Sequence, residues 1–363
     1  MVRGNIKRIA VILICACMML NICGCGDKEV APEDKVDILL ITDVGTINDG
    51  SFNQGAWEGI LQYTSETGKI AKYYEPKDTS VEAYLEQIKT GVENGAQIVV
   101  CPGYLFGETV YEAQKKFTDT HFILLDGIPH NEDFSEETIA DNVMAVQFEE
   151  DEAGFLAGYA AVRDGYTNLA FIGGIPEDAV IRYGYGFVQG ADYASIEMGV
   201  PVYIRYTYAN TFYEDDSVEA TAASWYDNGT EVIFACGGSM GRSVMRAAEN
   251  HNGKIIGVDV DQHTESDTVI TSAMKALDSA VYEGLTAYYT GNFPGGETTV
   301  FSAKESGVRL PMDASKFNRF MLSDYDAIYS QLVNGIIDPY SETNIGTCEE
   351  LSLINTEVSY VVP

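Results

Sequence analysis

Carboxylates recur where β-rich runs end. Val36–Ile41 leads into Thr42 and Asp43, His121–Leu125 into Asp126, and Lys254–Val258 into Asp259 and Asp261. A further run, Glu231–Cys236, ends in Gly237 and Gly238, where the missing side chains let a ligand approach backbone N–H groups. Carboxylate oxygens accept hydrogen bonds from adjacent hydroxyls, such as those of a polyol or a ribose. The same cluster repels a phosphate or a carboxylate. The chemistry on offer is capture of a neutral or cationic small molecule bearing hydroxyls. Aspartates at such places also cap the helices that follow, which accounts for one or two of them and less well for the set.

The loop Asp43–Gly50 is longer than the usual connection in α/β units, which points to binding. Ser51 and Gln54 then stand at the spacing of a capping box, Ser at the N-cap and Gln at N3, and so have a structural explanation. Phe52 and Asn53, in the first turn, are different. The ring of Phe52 offers a stacking face, and the amide of Asn53 both donates and accepts. Trp57, a turn further along, reads as core.

One pattern favours an enzyme. Gly237, Ser239 and Gly241 form a G-x-S-x-G between a strand and a helix, the setting of a hydrolase nucleophile. A triad needs a later acid and then a histidine, and only His251 and His263 follow, too soon for the βα units that bring such a histidine back. Hydrolysis at Ser239 is the weaker reading. No spaced His/Cys set suggests a metal, no phosphate-binding loop or dinucleotide fingerprint is present, and no cofactor is expected. His121 and His130 have no partner in sequence and read as surface or strand-end residues.

These residues need a scaffold that brings strand ends together. Strands are expected at 36–43, 69–75, 97–103, 121–127, 168–174, 202–209, 231–238 and 254–261. Helical spacing falls at 51–68, 81–95, 108–119, 150–165, 180–199, 217–229 and 242–253. Such alternation predicts an α/β fold with parallel sheets covered by helices on both faces. There are too many βα units for one sheet. The rhythm breaks over 128–149, where a polar stretch precedes a strand-like run at 138–148. Another strand-like run, 267–273, enters a helix at 278–291; a Gly/Pro-rich stretch and a last helix at 316–337 follow. Two doubly wound lobes are expected, the first from 36–140 and 266–308, the second from 141–265 and 309–363.

The N-terminus is a targeting segment. Arg3, Lys7 and Arg8 precede an apolar run from Ile9 to Leu20, which is too short to span a bilayer and suits a signal peptide over 1–24. Ile22, Cys23, Gly24 and Cys25 resemble a bacterial lipobox. The resemblance implies cleavage before Cys25, acylation of its thiol, and a lipidated tether over 25–35 holding the protein outside the cell membrane. Four of the seven cysteines lie in this segment; Cys101, Cys236 and Cys348 are too few and too scattered for a disulfide framework or a metal set. Removing residues 1–24 takes the formal charge from −33 to −36, a surface that repels nucleic acid.

The segment from Asp43 through Phe52, Asn53 and Trp57 to Gly59 resembles the signature of the basic membrane protein family, PnrA-like purine nucleoside-binding lipoproteins of ABC importers. Further matches follow in order: Phe122–Asp126, Asn142–Val146 with Glu152–Gly158, Phe171–Gly174, Gly257–Gln262 and Thr271–Lys275. The resemblance implies a class I periplasmic-binding-protein fold with a purine nucleoside clamped between the lobes of a monomer. It implies that Phe52 and Phe212 sandwich the base, with Asn53 and Asp43 at its edge. Asp126, Asp259, Lys275 and Gly238 would hold the ribose, and a permease and an ATPase would be the partners. Ile47 stands where the family commonly has an aromatic, and the text after Gly174 departs from the family's.

Overall fold

Short β-branched runs bounded by Gly, Asp and Pro build two parallel sheets in the computed structural model, which describes residues 31–343 and 347–361. The expected signal peptide, the lipidation at Cys25 and the first part of the tether lie outside the described residues.

The first sheet contains β1 (Ile38–Ile41), β2 (Ala71–Tyr74), β3 (Ile98–Pro102), β4 (His121–Leu125), β5 (Val143–Phe148) and β11 (Glu297–Phe301). They run in the order β11-β5-β4-β3-β1-β2, all parallel. The second holds β6 (Asn168–Gly173), β7 (Val202–Tyr208), β8 (Val232–Cys236), β9 (Lys254–Asp259), β10 (Val269–Lys275), β12 (Val308–Arg309) and β13 (Thr356–Tyr360). Its order is β12-β10-β9-β8-β6-β7-β13, parallel apart from β12. β1, β3, β8 and β9 are almost wholly buried, as strands covered on both faces must be.

The first-lobe helices are α1 (Phe52–Thr67), α2 (Val81–Glu93), α3 (Gly107–Lys116) and α8 (Leu277–Thr290), the last packing along α1. The second lobe carries α4 (Glu150–Asp164), α5 (Asp178–Met198), α6 (Asp216–Asp227), α7 (Met240–His251) and α9 (Leu322–Val333). α4 and α5 touch backbone to backbone. A Cβ on Gly154 would come within 2.1 Å of the Tyr183 carbonyl oxygen, and one on Gly186 within 2.0 Å of that of Asp151.

Four expectations are corrected. β5 pairs with β4, so the chain leaves the first lobe after Phe148, not after residue 140. β10 pairs with β9, so it belongs to the second lobe, and the return to the first comes after Lys275 rather than at 266. The third crossing lies between β11 and β12, ahead of the expected 308/309. The final helix begins at Leu322 instead of 316, because the carboxylate of Asp164 accepts the N–H groups of Asn318, Arg319 and Phe320 at 2.7, 2.5 and 3.0 Å and holds that segment out of a helix. Cys101, Cys236 and Cys348 are free and buried.

Candidate functional site

In an open α/β sheet the strand order reverses at one point, and the loops diverging there leave a crevice beyond the carboxyl ends. The first sheet reverses between β1 and β3 and the second between β6 and β8. The two crevices face one another across a cavity of about 670 Å³, large enough for a small molecule. All eight expected binding residues line it: Asp43, Phe52, Asn53 and Asp126 from the first lobe, and Phe212, Gly238, Asp259 and Lys275 from the second. Asp261 does not; its carboxylate accepts from the backbone and ring of His263 at 3.1 and 2.8 Å.

At one end Asp43 Oδ1 accepts from Gly45 N at 2.9 Å and from Asn53 Nδ2 at 2.8 Å. The same Asn53 nitrogen reaches Asp49 Oδ2 at 2.9 Å, while Asn53 Oδ1 takes the Asp43 N–H at 3.3 Å. Turning the amide over would set its oxygen against two carboxylates, so the orientation is fixed. Asn53 therefore keeps no free N–H for a ligand, contrary to the expectation that its amide both donates and accepts there. Ser51 is corrected as well. Its hydroxyl donates to Asp259 Oδ2 across the lobes instead of capping α1. Asp49 does the capping, accepting from Asn53 N at 3.1 Å and Gln54 N at 3.2 Å, and Gln54 Oε1 takes the N–H of Gly50.

At the other end Lys275, only 2% exposed, donates to Asp126 Oδ2 and lies 2.8 Å from Glu150 Oε1. Arg182 Nε holds the second oxygen of Glu150 at 2.6 Å. Asp126 and Asp259 adopt φ of 52° and 65°, two of the six non-glycine residues in the left-handed region among the described residues. Strain of about 1–3 kcal/mol per such residue persists where surrounding structure imposes it, commonly at functional sites. Asp126 Oδ1 is buried and has no hydrogen-bond partner among the described residues.

Burial raises the carboxyls of Asp43 and Asp259 to about 6, against the pull of Gly45 and Asn53 on the first and of Lys275 and Ser51 on the second. Burial also raises Asp126 to about 6 while Lys275 opposes it. Desolvation pushes the ammonium of Lys275 down, but Asp126, Glu150 and Asp259 outweigh it and hold it above its ordinary value. Burial raises Glu150 too, and Lys275 and Arg182 together bring it below the usual range.

Two rings also line the cavity. Phe52 sits with Lys275 Nζ 5.2 Å from its centroid. Phe212 packs against Gly238, whose φ of 53° suits glycine and where a Cβ would meet the Phe212 carbonyl oxygen at 2.9 Å. The lobes are closed on one another here. Gln262 Nε2 donates to Gly50 O at 2.8 Å, Arg242 donates to Asn48 O at 3.2 Å, and Tyr104 hydrogen-bonds Glu177. Sequence reading passed over Glu150, Arg182 and Asp49. It also read His130 only as a surface or strand-end residue, whereas His130 stacks on Phe134 at 3.8 Å and both line the cavity.

The hydrolase arrangement does not form. Ser239 Oγ donates to Phe212 O at 3.2 Å, His251 pairs with Asp227 at 2.7 Å, and His263 is held by Asp261. Among the described residues no cluster has the makings of a metal site, and no helix is long and apolar enough to cross a membrane.

Residues 36–347 match the family model described as ABC transporter substrate-binding protein PnrA-like. The chain is 27% identical over 331 residues to an ABC transporter nucleoside-binding protein of Lactococcus lactis, covering 84% of this chain and 91% of that one. It is 27% identical over 342 residues to basic membrane protein D of Borreliella burgdorferi, covering 90% and 94%. Among solved structures, an ABC transporter solute-binding protein from Aeropyrum pernix superposes with a TM-score of 0.74 at 19% identity, covering 86% of this chain and 95% of the other.

Proposed function

The chain belongs to the PnrA-like family of ABC transporter substrate-binding proteins, and from that premise we propose that it captures a purine nucleoside between its lobes. It is a binding protein and not an enzyme, so the cavity is judged by what it holds. The observation that carries the reading is Asp126, a residue of the cavity lining: one oxygen grips Lys275, and the other is buried and unpartnered. A buried acceptor left without a donor costs about 1–3 kcal/mol. A ribose hydroxyl supplies that donor, Lys275 and Asp259 serve its neighbour, and the base lies between Phe52 and Phe212. The nucleoside-binding relative in Lactococcus lactis supports the same class of ligand.

The edge of the base meets Asp43. With both N–H groups of Asn53 committed to carboxylates, this edge is offered acceptors, so a base that donates is favoured. Hypoxanthine and guanine carry a hydrogen on N1, whereas N1 of adenine accepts. Inosine and guanosine are the preferred ligands on this reading. The protein works as a monomer outside the cell membrane, held by a lipid on Cys25, and hands its ligand to a permease driven by an ATPase.

A thermal-shift panel of nucleosides, free bases and sugars tests this. Inosine and guanosine are expected to raise the melting temperature most, adenosine less, and sugars not at all. A rise with a sugar and none with any nucleoside would replace the reading by sugar capture in the same cleft.

A further inference from the structure

A chain of four charges runs along the cavity, Asp126, Lys275 and Arg182 on its lining and Glu150 behind them, and the strand-end aspartates do not account for it. Arg182 donates to Glu150, Glu150 faces Lys275, and Lys275 donates to Asp126. The Glu150 side chain is wholly buried and that of Arg182 is 19% exposed. Glu150 opens α4 and Arg182 lies in the first turns of α5, the two helices whose backbones touch at Gly154 and Gly186. That contact leaves the two side chains little room to part. Glu150 is also the second residue beyond β5, where the chain crosses between lobes, and Lys275 is the last residue before it crosses back.

A buried ammonium is drawn to every carboxylate in reach, and Lys275 has three: Asp126, Glu150 and Asp259. With Glu150 behind it, Lys275 takes one oxygen of Asp126 and leaves the other open. Without that charge the ammonium moves forward between Asp126 and Asp259 and covers acceptors that ligand hydroxyls require. Resting on the nucleoside reading, we infer that Glu150, held by Arg182, is a positioning residue that draws Lys275 back and so keeps Asp126 and Asp259 available to the vicinal hydroxyls of the ligand.

The test compares inosine with 2′,3′-dideoxyinosine by calorimetry in the wild-type chain and in Glu150→Gln. Inosine is expected to weaken about tenfold or more, the worth of a lost charge-assisted hydrogen bond, while the dideoxy ligand changes by less than about threefold. A residue that merely supports the fold would weaken both alike, so an unchanged ratio overturns the inference and leaves the nucleoside reading intact. If the wild-type chain binds neither ligand, the reading falls and the inference with it. Should Glu150→Gln fail to fold, Arg182→Gln, altered at the partly exposed end of the chain of charges, decides by the same ratio: a shift against inosine upholds the inference, and no shift overturns it.

Discussion

Asp43 and Asp126 sit at equivalent places, each just past the end of a buried strand of the first sheet, yet they are held in opposite ways. Asp43 is held by neutral donors, an amide and a backbone N–H, and its neighbour Asp49 is held by the same amide and by the start of α1. Asp126 is held by a cation, which is itself balanced by Glu150, and Glu150 in turn is held by Arg182. Neutral donors fix a carboxylate without cancelling its charge, so the Asp43 end stays an acceptor. The ion chain cancels charge and adds a donor, so the other end both gives and receives hydrogen bonds. One residue type thus yields two recognition surfaces, set by what stands behind it.

The most severe way to break this contrast is Lys275→Met. It takes the shared cation from three buried carboxylates and leaves Asp126 without its partner, and removing one partner of such a set costs about 3–5 kcal/mol. Urea unfolding should register that loss, and calorimetry should find nucleoside affinity down by more than about a hundredfold. Retained affinity would move the hydroxyl end of the ligand elsewhere. Phe52→Ala comes next. Removing one stacking face should weaken purine nucleosides at least about tenfold with little change in unfolding, since the ring is only partly buried; an unaltered affinity would mean the base lies outside this pocket.

At the neutral end, Asn53→Ala leaves Asp43 and Asp49 facing each other without a shared donor. A loss of about 1–3 kcal/mol in stability is expected on urea unfolding. In Asp43→Asn, whose amide can also donate, adenosine should close part of its gap to inosine. If the gap stays, Asp43 is not what distinguishes the two bases.

Acidity gives the smallest effect. Burial raises Asp43 and Asp259 from 3.8 to about 6, so the folded chain holds these protons to higher pH than the unfolded chain does. Their contribution makes the ligand-free protein lose stability as pH climbs from 3.8 to about 6, and level beyond. A ligand that donates to ionised carboxylates moves the other way, binding better over the same interval. The melting-temperature gain from inosine should therefore be larger at a pH well above this window than inside it. The reverse trend would make the carboxyls donors.

The layout was legible where chemistry and periodicity coincide. A β-rich run followed by Asp marks both a strand and its carboxyl end, so Asp43, Asp126 and Asp259 could be found and set in one cleft without coordinates. Glu150 could not. It lies within Glu149–Glu152, four acidic residues opening a helix, which reads as a solvated helix start until the return of β10 brings Lys275 over it. The capping box misled for a related reason: Ser51 has the right spacing, but a partner 208 residues away claims its hydroxyl. β11 and β13 were missed because these edge strands hold few buried residues, and the lobe boundaries slipped because β5 and β10 end where the chain changes lobe.

The position of β11 bears on how the molecule is made. The first lobe waits for that strand, and for α8 before it, until residue 301, by which time β6 to β10 have already been synthesised. Through that interval β5, a largely apolar strand, has one side with no neighbour. An unpaired apolar edge invites another chain. The newly made protein is therefore open to pairing with another chain while residues 149–301 emerge, and defects in residues 277–301 should surface as aggregation before they surface as lost binding.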